Sequence, residues 1–287
     1  MEELAVKKDF TNIYTQKYPN EYLKEMGRLD YRIPDNTKPL YLSITKQLYE
    51  KLSKKINIID IGSSYGINSA LMKYDLKMSD LDDFFLGQEP SIEQSKHFFE
   101  NISSDDTLDF YQIDISEPAL KFSENTGLCK KGICVNLESG NLPINEMPRS
   151  DLIIATGCVG YIGYKAFSNL FELIKKQQSE SDLEISEQGP VFAFSVLRIF
   201  DMEKIEKTFD HYGYSLVKSD LKPIRQRRFS DMEEKHKTIS LLHSKGIDTK
   251  WLEDDGHFYA DFYIASPKRL ETSLILMSEK LKRYAEH

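Results

Sequence analysis

The residues best placed to do chemistry together begin with the run Asp60-Ile61-Gly62-Ser63-Ser64-Tyr65-Gly66. It sets a carboxylate at the end of an apolar stretch and glycines where backbone must approach a ligand closely. A helix opening after such a turn offers free N–H groups at its first turn. The bland reading of the same run is a tight strand-to-helix turn that binds nothing, so context must decide. A second carboxylate, Asp114 in the run Phe110 to Ser116, also sits after an apolar stretch and before a helical one. Further along stand Asn136-Leu137-Glu138, Thr156-Gly157, Tyr161 and Tyr164, then Arg225, Arg227, Arg228 and His257. Arginines can hold a carboxylate through two parallel hydrogen bonds, and a histidine can move a proton near neutral pH. Among the remaining histidines, His97, His211, His236 and His243 show no metal-site spacing, and no Cys-His cluster or HExxH run is present, so no metal is expected.

These residues need a scaffold, and the apolar pattern supplies one. Ile56 to Gly62 reads as a buried parallel strand, with a helix following from about Ile67. Leu108–Ile115, Ile133–Leu137, Leu152–Thr156 and Val191–Leu197 read as further strands, with helical segments between most of them. Tyr214–Ser219 and Phe258–Ala265 suit an antiparallel edge pair. The expected fold is therefore α/β: a mostly parallel sheet with an antiparallel terminal strand and helical insertions on the substrate side. Residues 1–55 are expected to form an N-terminal helical cap, with a helix from Asn36 to Lys55 capped by Asn36 and Thr37 and carrying Pro39 in its first turn. The core runs over 56–266, with helical insertions at about 75–107 and 221–256, and a helix occupies 267–287. Capping-box patterns at Ser91/Gln94 and Ser230/Glu233 start helices within the insertions. The terminal helix carries Leu270, Leu274, Met277, Leu281 and Tyr284 on one stripe, suited to packing on its own sheet or to a homodimer contact. Residues 178–188 read as a solvated polar loop.

The chain has 287 residues, enough for a large core, with 40% hydrophobic and 29% charged residues, the balance of a folded globular protein. Its formal charge of -8 repels phosphate backbones and anionic membranes, leaving small molecules as expected partners. Three cysteines without a CxxC pair suit a reducing, cytoplasmic compartment. No run approaches the ~20 apolar residues that span a bilayer.

On the Asp60–Gly66 run, the strand and helix alternation and Asp114, the chain resembles the class I (Rossmann-like) S-adenosylmethionine-dependent methyltransferases, of the bacterial small-molecule type. That family's first motif is an acid followed by G-x-G-x-G after the first strand; here Ser64 stands at the central glycine. The resemblance implies that Asp60, Gly62, Ser63, Ser64 and Gly66 bind S-adenosylmethionine, or its product S-adenosylhomocysteine. It implies that Asp114, followed by Ile115, accepts hydrogen bonds from both ribose hydroxyls, a task suited to paired carboxylate oxygens. The rival acids Asp80, Asp82, Asp83 and Glu89 lie in helix-like or loop-like surroundings. The wide separation of Asp60 from Asp114 then requires residues 75–107 to be an insertion. Asn136, Leu137 and Glu138 match the adenine-contacting segment, and Thr156-Gly157 ends the fourth strand. Tyr161 and Tyr164 fall where the family draws acceptor-facing residues, although tyrosines near a helix start also pack with only the hydroxyl wet. A subgroup pattern, L-D-Y-x-I-P and Q-R-R-F, appears as Leu29 to Pro34 and Gln226 to Phe229.

An antiparallel last strand would bring residues 221–256 over the ligand side of the sheet. Arg225, Arg227, Arg228 and His257 would then border the pocket, with His257, Tyr161 and Tyr164 as candidates for assisting proton loss. Tyr31, Arg225, Arg228 and Phe229 are the candidates for holding the acceptor. Alternatively the arginines answer the acids Glu233, Glu234, Glu253, Asp254 and Asp255 in surface pairs worth little. Rival functions are a nonenzymatic nucleoside-binding module on the same fold and an NAD-dependent oxidoreductase. The oxidoreductase expects G-x-G-x-x-G and an acid soon afterwards, which this chain lacks. A nucleic-acid methyltransferase is disfavoured because RQRR is the only concentrated basic segment.

Overall fold

The computed structural model describes residues 11–140, 142–143, 146–178 and 189–285. Apart from Gln178, the polar run 178–188 lies outside them, as do residues 1–10 of the expected cap. The parallel strands are β1 (Ile56–Ile61), β2 (Leu108–Asp114), β3 (Lys131–Cys134), β4 (Leu152–Ala155) and β5 (Val191–Leu197). β6 (Tyr214–Lys218), β7 (Ile224–Arg228) and β8 (His257–Pro267) complete the sheet, in the order β3-β2-β1-β4-β5-β8-β6, with β7 also paired to β8.

β1 shows why the sheet is covered on both sides. Ile59 and Ile61 enter one core cluster while Ile56 and Ile58 enter another, the two-faced burial expected of a central parallel strand. The first face is covered by α7 (Val159–Gln178) and α8 (Glu203–His211), and an aromatic set of Phe167, Phe171, Phe192, Phe194 and Phe209 fills that layer. The second face takes α2 (Ile33–Leu52) and α10 (Glu271–Ala285), which meet through Leu40, Ile44, Leu274 and Leu281. The terminal stripe is thus used inside the chain at Leu274 and Leu281; the Tyr284 side chain lies outside the described residues.

α2 begins at Ile33, three residues before the expected start. Pro34 occupies its first turn, while Pro39 lies inside the helix. Asn36 and Thr37 are helical residues, not caps; Thr37 Oγ1 donates back to Ile33 O at 2.7 Å. The helix starts early because the chain before it is already fixed: Arg32 N–H donates to Gln226 O at 2.7 Å, and Arg228 N–H to Leu29 O at 2.6 Å. The two subgroup patterns, about 200 residues apart in sequence, therefore lie backbone to backbone.

The 75–107 insertion is helical, as α4 (Met78–Gly87) and α5 (Ile92–Glu100), with the Ser91/Gln94 capping box formed. α1 (Asn20–Arg28), α3 (Ile67–Lys73) and α6 (Glu117–Asn125) join them in a separate helical core that includes Tyr22, Leu23, Leu71, Phe85, Phe99 and Phe122. The 221–256 crossover differs from expectation. It contains β7 before the helix α9 (Met232–Ser244), and that helix is capped by Asp231, which accepts from Glu234 N–H at 2.8 Å, one residue after the expected Ser230.

β8 runs antiparallel to β5, and its first residues lie beside the carboxyl end of β5, where Leu197 faces Ala260. β7 pairs with this early part of β8, from Ala260 back to His257. The late crossover is thereby anchored on the ligand side of the parallel strands.

Candidate active site

The site is built where β1, β2 and β4 end. Gly62, Ser64 and Gly66 all have left-handed backbone, with φ of 62°, 50° and 77°. At Gly62 a Cβ would fall 2.7 Å from the Cys158 Cβ, so this turn must be glycine to pass under the β4 loop. Ser64 adopts a left-handed conformation in spite of its side chain, and its N–H donates to Asp114 Oδ2 at 2.8 Å. Ser116 N–H donates to Asp114 Oδ1, also at 2.8 Å. The carboxylate's roughly four lone-pair sites are not all taken by these bonds, so it can also accept from a ligand. Burial pushes the Asp114 carboxyl upward, opposed by the N–H groups of Ser64, Ser116 and Ile115.

Asp60 lies beneath the loop with no solvent exposure. Asn68 Nδ2 donates to both of its oxygens at 3.1 Å and reaches Thr156 Oγ1 at 3.2 Å, and the Tyr41 hydroxyl lies 2.9 Å from that same oxygen. Burial pushes the Asp60 carboxyl up to about 8, against the Asn68 bonds, with the Asp114 charge adding to the rise. Asp60 therefore ties the strand ends together from below.

Above these groups lies a cavity of about 420 Å³. Gly62, Ser63, Ser64, Asp114, Ile115, Asn136, Leu137, Glu138, Thr156 and Gly157 line it, and so do Tyr31 and Tyr161. Asp60 lies below this lining, and Gly66 supports it from the helix start: a Cβ on Gly66 would meet Ser123 Oγ at 2.5 Å and Gln112 Nε2 at 2.7 Å. Ile115 is 71% exposed beside Asp114, an apolar side chain left open at the cavity. Asn136 turns its own carbonyl oxygen back to Glu138 N–H, so its Nδ2 remains directed away from that cap.

The other candidates are placed elsewhere. Tyr164 does not line the cavity; its ring lies under Lys204 Nζ at 5.5 Å. The kink at Gly163, with φ 57° and ψ -177°, separates Tyr164 from the first turn of α7 that carries Tyr161. His257 also lies outside the lining, bound to Asp255 at 2.9 Å and 3.9 Å from Asp30. Arg225 pairs with Asp30 at 3.2 Å, and Arg228 is exposed at the outer edge of β7. Phe229 is buried against Phe258, ring centroids 4.5 Å apart, and so packs in the crossover core rather than facing the cavity. Arg227 forms a buried two-bond pair with Glu234 at 2.7 and 2.9 Å, not a surface pair. The Arg225 and Arg227 placements share one cause: β7 turns these charged residues toward its own crossover and the 29–36 segment.

Tyr14, Tyr22 and Cys158 line the cavity without being among the residues expected there from sequence. Tyr14 and Tyr22 come from the N-terminal segment, their rings 5.5 Å apart. The segment is fastened to the motif loops, because the Tyr65 hydroxyl donates to Gln16 O at 2.8 Å and the Ser116 hydroxyl donates to Tyr14 O. The spacing Tyr14, Tyr18, Tyr22 is the one pattern that marks an aromatic helix-like face there. Cys158 follows β4, and its thiol donates to Ile61 O at 3.1 Å. Gln226, the extra residue at the β7 bulge, approaches Gly157, where a Cβ would lie 3.5 Å from its Nε2 and 2.8 Å from the Tyr31 hydroxyl.

A nucleoside with an amino-acid tail fits these groups. Ser63 and Ser64 line the cavity, and their hydroxyl oxygens are buried with no hydrogen-bond partner among the described residues. Among the described residues, no group of three or more His, Cys, Asp or Glu is placed to hold a metal ion, and no helix is long and apolar enough to cross a membrane.

The sheet order with one antiparallel strand inserted next to the edge, and a glycine turn after β1 facing an acid after β2, decides the architecture. The chain has the class I, Rossmann-like methyltransferase fold. No protein-family model and no curated protein matches the sequence. Among solved structures it is similar to the plantazolicin methyltransferase BamL, at 13% identity and a TM-score of 0.46, over 93% of this chain and 97% of that one. It is similar to magnesium protoporphyrin IX methyltransferase from Synechocystis PCC 6803, at 10% identity and a TM-score of 0.40, over 92% and 96% of the two chains. It is also similar to the [4+2]-cyclase SpnF, at 12% identity and a TM-score of 0.37, over 78% and 80%. At these scores the neighbours carry no weight for function, which rests on the site itself.

Proposed function

We propose that this protein is an S-adenosylmethionine-dependent methyltransferase acting on a small molecule. The observation that carries the reading is the facing pair of loops: Asp114, whose two oxygens accept from the Ser64 and Ser116 N–H groups, at the end of β2, opposite a left-handed glycine-containing turn at the end of β1, both lining one cavity. Asp114 would accept the ribose hydroxyls, Ile115 and Leu137 would flank the adenine, and Asn136 and Glu138 would meet its polar edge. Ser63 and Ser64 would hold the amino-acid end. The bound cofactor supplies an electrophilic methyl group.

The protein's task is then positioning and exclusion of water. Tyr14, Tyr22 and Tyr31 close the cavity from the N-terminal side and Tyr161 from the start of α7. At about 420 Å³ the cavity lies in the lower part of the roughly 300–1,000 Å³ range for ligand pockets, so the cofactor and a modest acceptor fill it. A net charge of -8 supports a small-molecule partner over nucleic acid. Three free cysteines support a reducing, cytoplasmic setting.

Thermal unfolding tests the reading without knowledge of the acceptor. S-adenosylhomocysteine at about 100 times its dissociation constant should add ~2.7 kcal/mol and raise the midpoint by several degrees, and Gly62→Ala should abolish that rise. A rise with NAD and none with S-adenosylhomocysteine would make the oxidoreductase reading primary.

A further inference from the structure

The acceptor end of the cavity has a chemical character that narrows the substrate class, on the reading of the cofactor given above. Tyr14, Tyr22, Tyr31, Tyr161 and Cys158 all line the cavity and lie near one another: the Tyr14 and Tyr22 rings are 5.5 Å apart, and Tyr14 and Tyr31 each act electrostatically with Tyr161 and Cys158. Among the described residues that line the cavity, the carboxylates are Asp114 and Glu138, and none is Lys, Arg or His. Arg227 acts electrostatically on Tyr14 from outside the lining, but Glu234 holds its guanidinium through two bonds. Asp82 adds negative charge behind Tyr22, and one of its oxygens is buried with no partner among the described residues. Burial holds the phenols of Tyr14, Tyr22 and Tyr31 above their ordinary range, so they remain neutral.

An anionic acceptor entering this space would lose hydration and find no cation to replace it. A cation would meet neutral, electron-rich tyrosine side chains, whose rings attract it more strongly as water is excluded. We propose that the acceptor is an amine, received in a cage of neutral tyrosines that favours the positive charge its nitrogen carries after methylation. The amine lone pair forms the new N–C bond, and the C–S bond breaks with its electron pair left on sulfur. The positive charge thus passes to nitrogen. An aliphatic amine is protonated near neutral pH, so it first gives that proton to water to free its lone pair, and a primary or secondary amine gives up a second proton after methylation. Water takes these protons, in keeping with the placement of His257 and Tyr164 outside the cavity.

Two probes of one shape test this: benzyltrimethylammonium, which mimics the charged product, and phenylacetate, its anionic counterpart. Each is titrated calorimetrically into the full-length protein, with and without saturating S-adenosylhomocysteine, whose own binding is recorded separately. The ammonium should bind at least about tenfold more tightly than phenylacetate in both conditions. Tyr161 is 48% exposed, so Tyr161→Leu leaves the fold intact and should weaken ammonium binding about fivefold, while Tyr161→Phe should retain it. Equal or tighter phenylacetate binding, no binding of either probe, or an unchanged ammonium affinity in Tyr161→Leu would overturn the amine assignment. Failure of S-adenosylhomocysteine to bind would instead overturn the cofactor reading, and the free-protein titrations would still decide the cage.

Discussion

The Ser64 N–H reaches Asp114 Oδ2 at 2.8 Å, joining two loops 50 residues apart. The bond fixes Ser64 at a φ of 50°, a region that costs a side-chain-bearing residue about 1–2 kcal/mol. Cofactor-facing backbone and ribose-facing carboxylate are thus set by one contact, and a change at either should be felt at both.

The glycine turn gives a paired prediction. Gly66 and Gly127 share a φ of 77°, but a Cβ on Gly66 would press on Ser123 Oγ and Gln112 Nε2, whereas one on Gly127 meets nothing within 4 Å. Gln112 cannot yield freely because its Nε2 donates to Ser69 Oγ at 2.9 Å. Gly127→Ala should cost about 1 kcal/mol of backbone strain, and Gly66→Ala about 3 kcal/mol by adding overpacking. Urea unfolding of both variants checks the difference.

Asp60 predicts a pH dependence. Its carboxyl rises from an ordinary 3.8 to about 8 in the folded protein, so the folded state holds a proton that the unfolded chain has released. Its contribution to stability is full below pH ~4 and is lost progressively as pH rises through about 8. Asp60→Asn removes this titration. Denaturation midpoints of variant and wild type should therefore shift in the variant's favour between pH 5 and pH 8, and a constant difference would contradict the assignment.

Arg227 and Glu234 predict a non-additive pair. Both side chains are 3% exposed, and Glu234 also accepts from Ser230 N–H at 2.7 Å. Arg227→Met should cost about 3–5 kcal/mol because it strands a buried carboxylate, and adding Glu234→Leu should recover part of that loss. A double-mutant cycle by equilibrium unfolding measures the coupling.

His257 predicts a null result at the site. Its ring is engaged by Asp255 and Asp30 beyond the cavity lining, so His257→Gln should leave cofactor affinity within about twofold. A larger loss, measured by equilibrium binding, would place it in the site after all.

The parallel strands are legible in sequence because burial on both faces makes each a continuous apolar run, as in Ile56–Ile61 and Val191–Leu197. β7 is not legible: Ile-Arg-Gln-Arg-Arg has no apolar alternation, and it becomes a strand through its pairing with β8 and with residues 29–32. Asp60, Asp114 and the glycines are local signals, whereas Tyr14 and Tyr22 reach the cavity only through the packing of α1 against α4 and the bonds to Tyr65 and Ser116. Thr37 and Pro39 look like a helix start, yet the start is set earlier by Pro34 and by the Arg32 bond to Gln226. Long-range pairing is what a single sequence conceals here.

The most direct test of the cofactor assignment is calorimetric titration of S-adenosylmethionine, S-adenosylhomocysteine and NAD into the wild type and Asp114→Ala, with circular dichroism to verify that the variant folds. Both adenosyl ligands should bind the wild type and NAD should not, and Asp114→Ala should weaken the adenosyl ligands at least tenfold, ~1.4 kcal/mol. Binding of NAD alone, or adenosyl ligands held equally well by a folded Asp114→Ala, would contradict it.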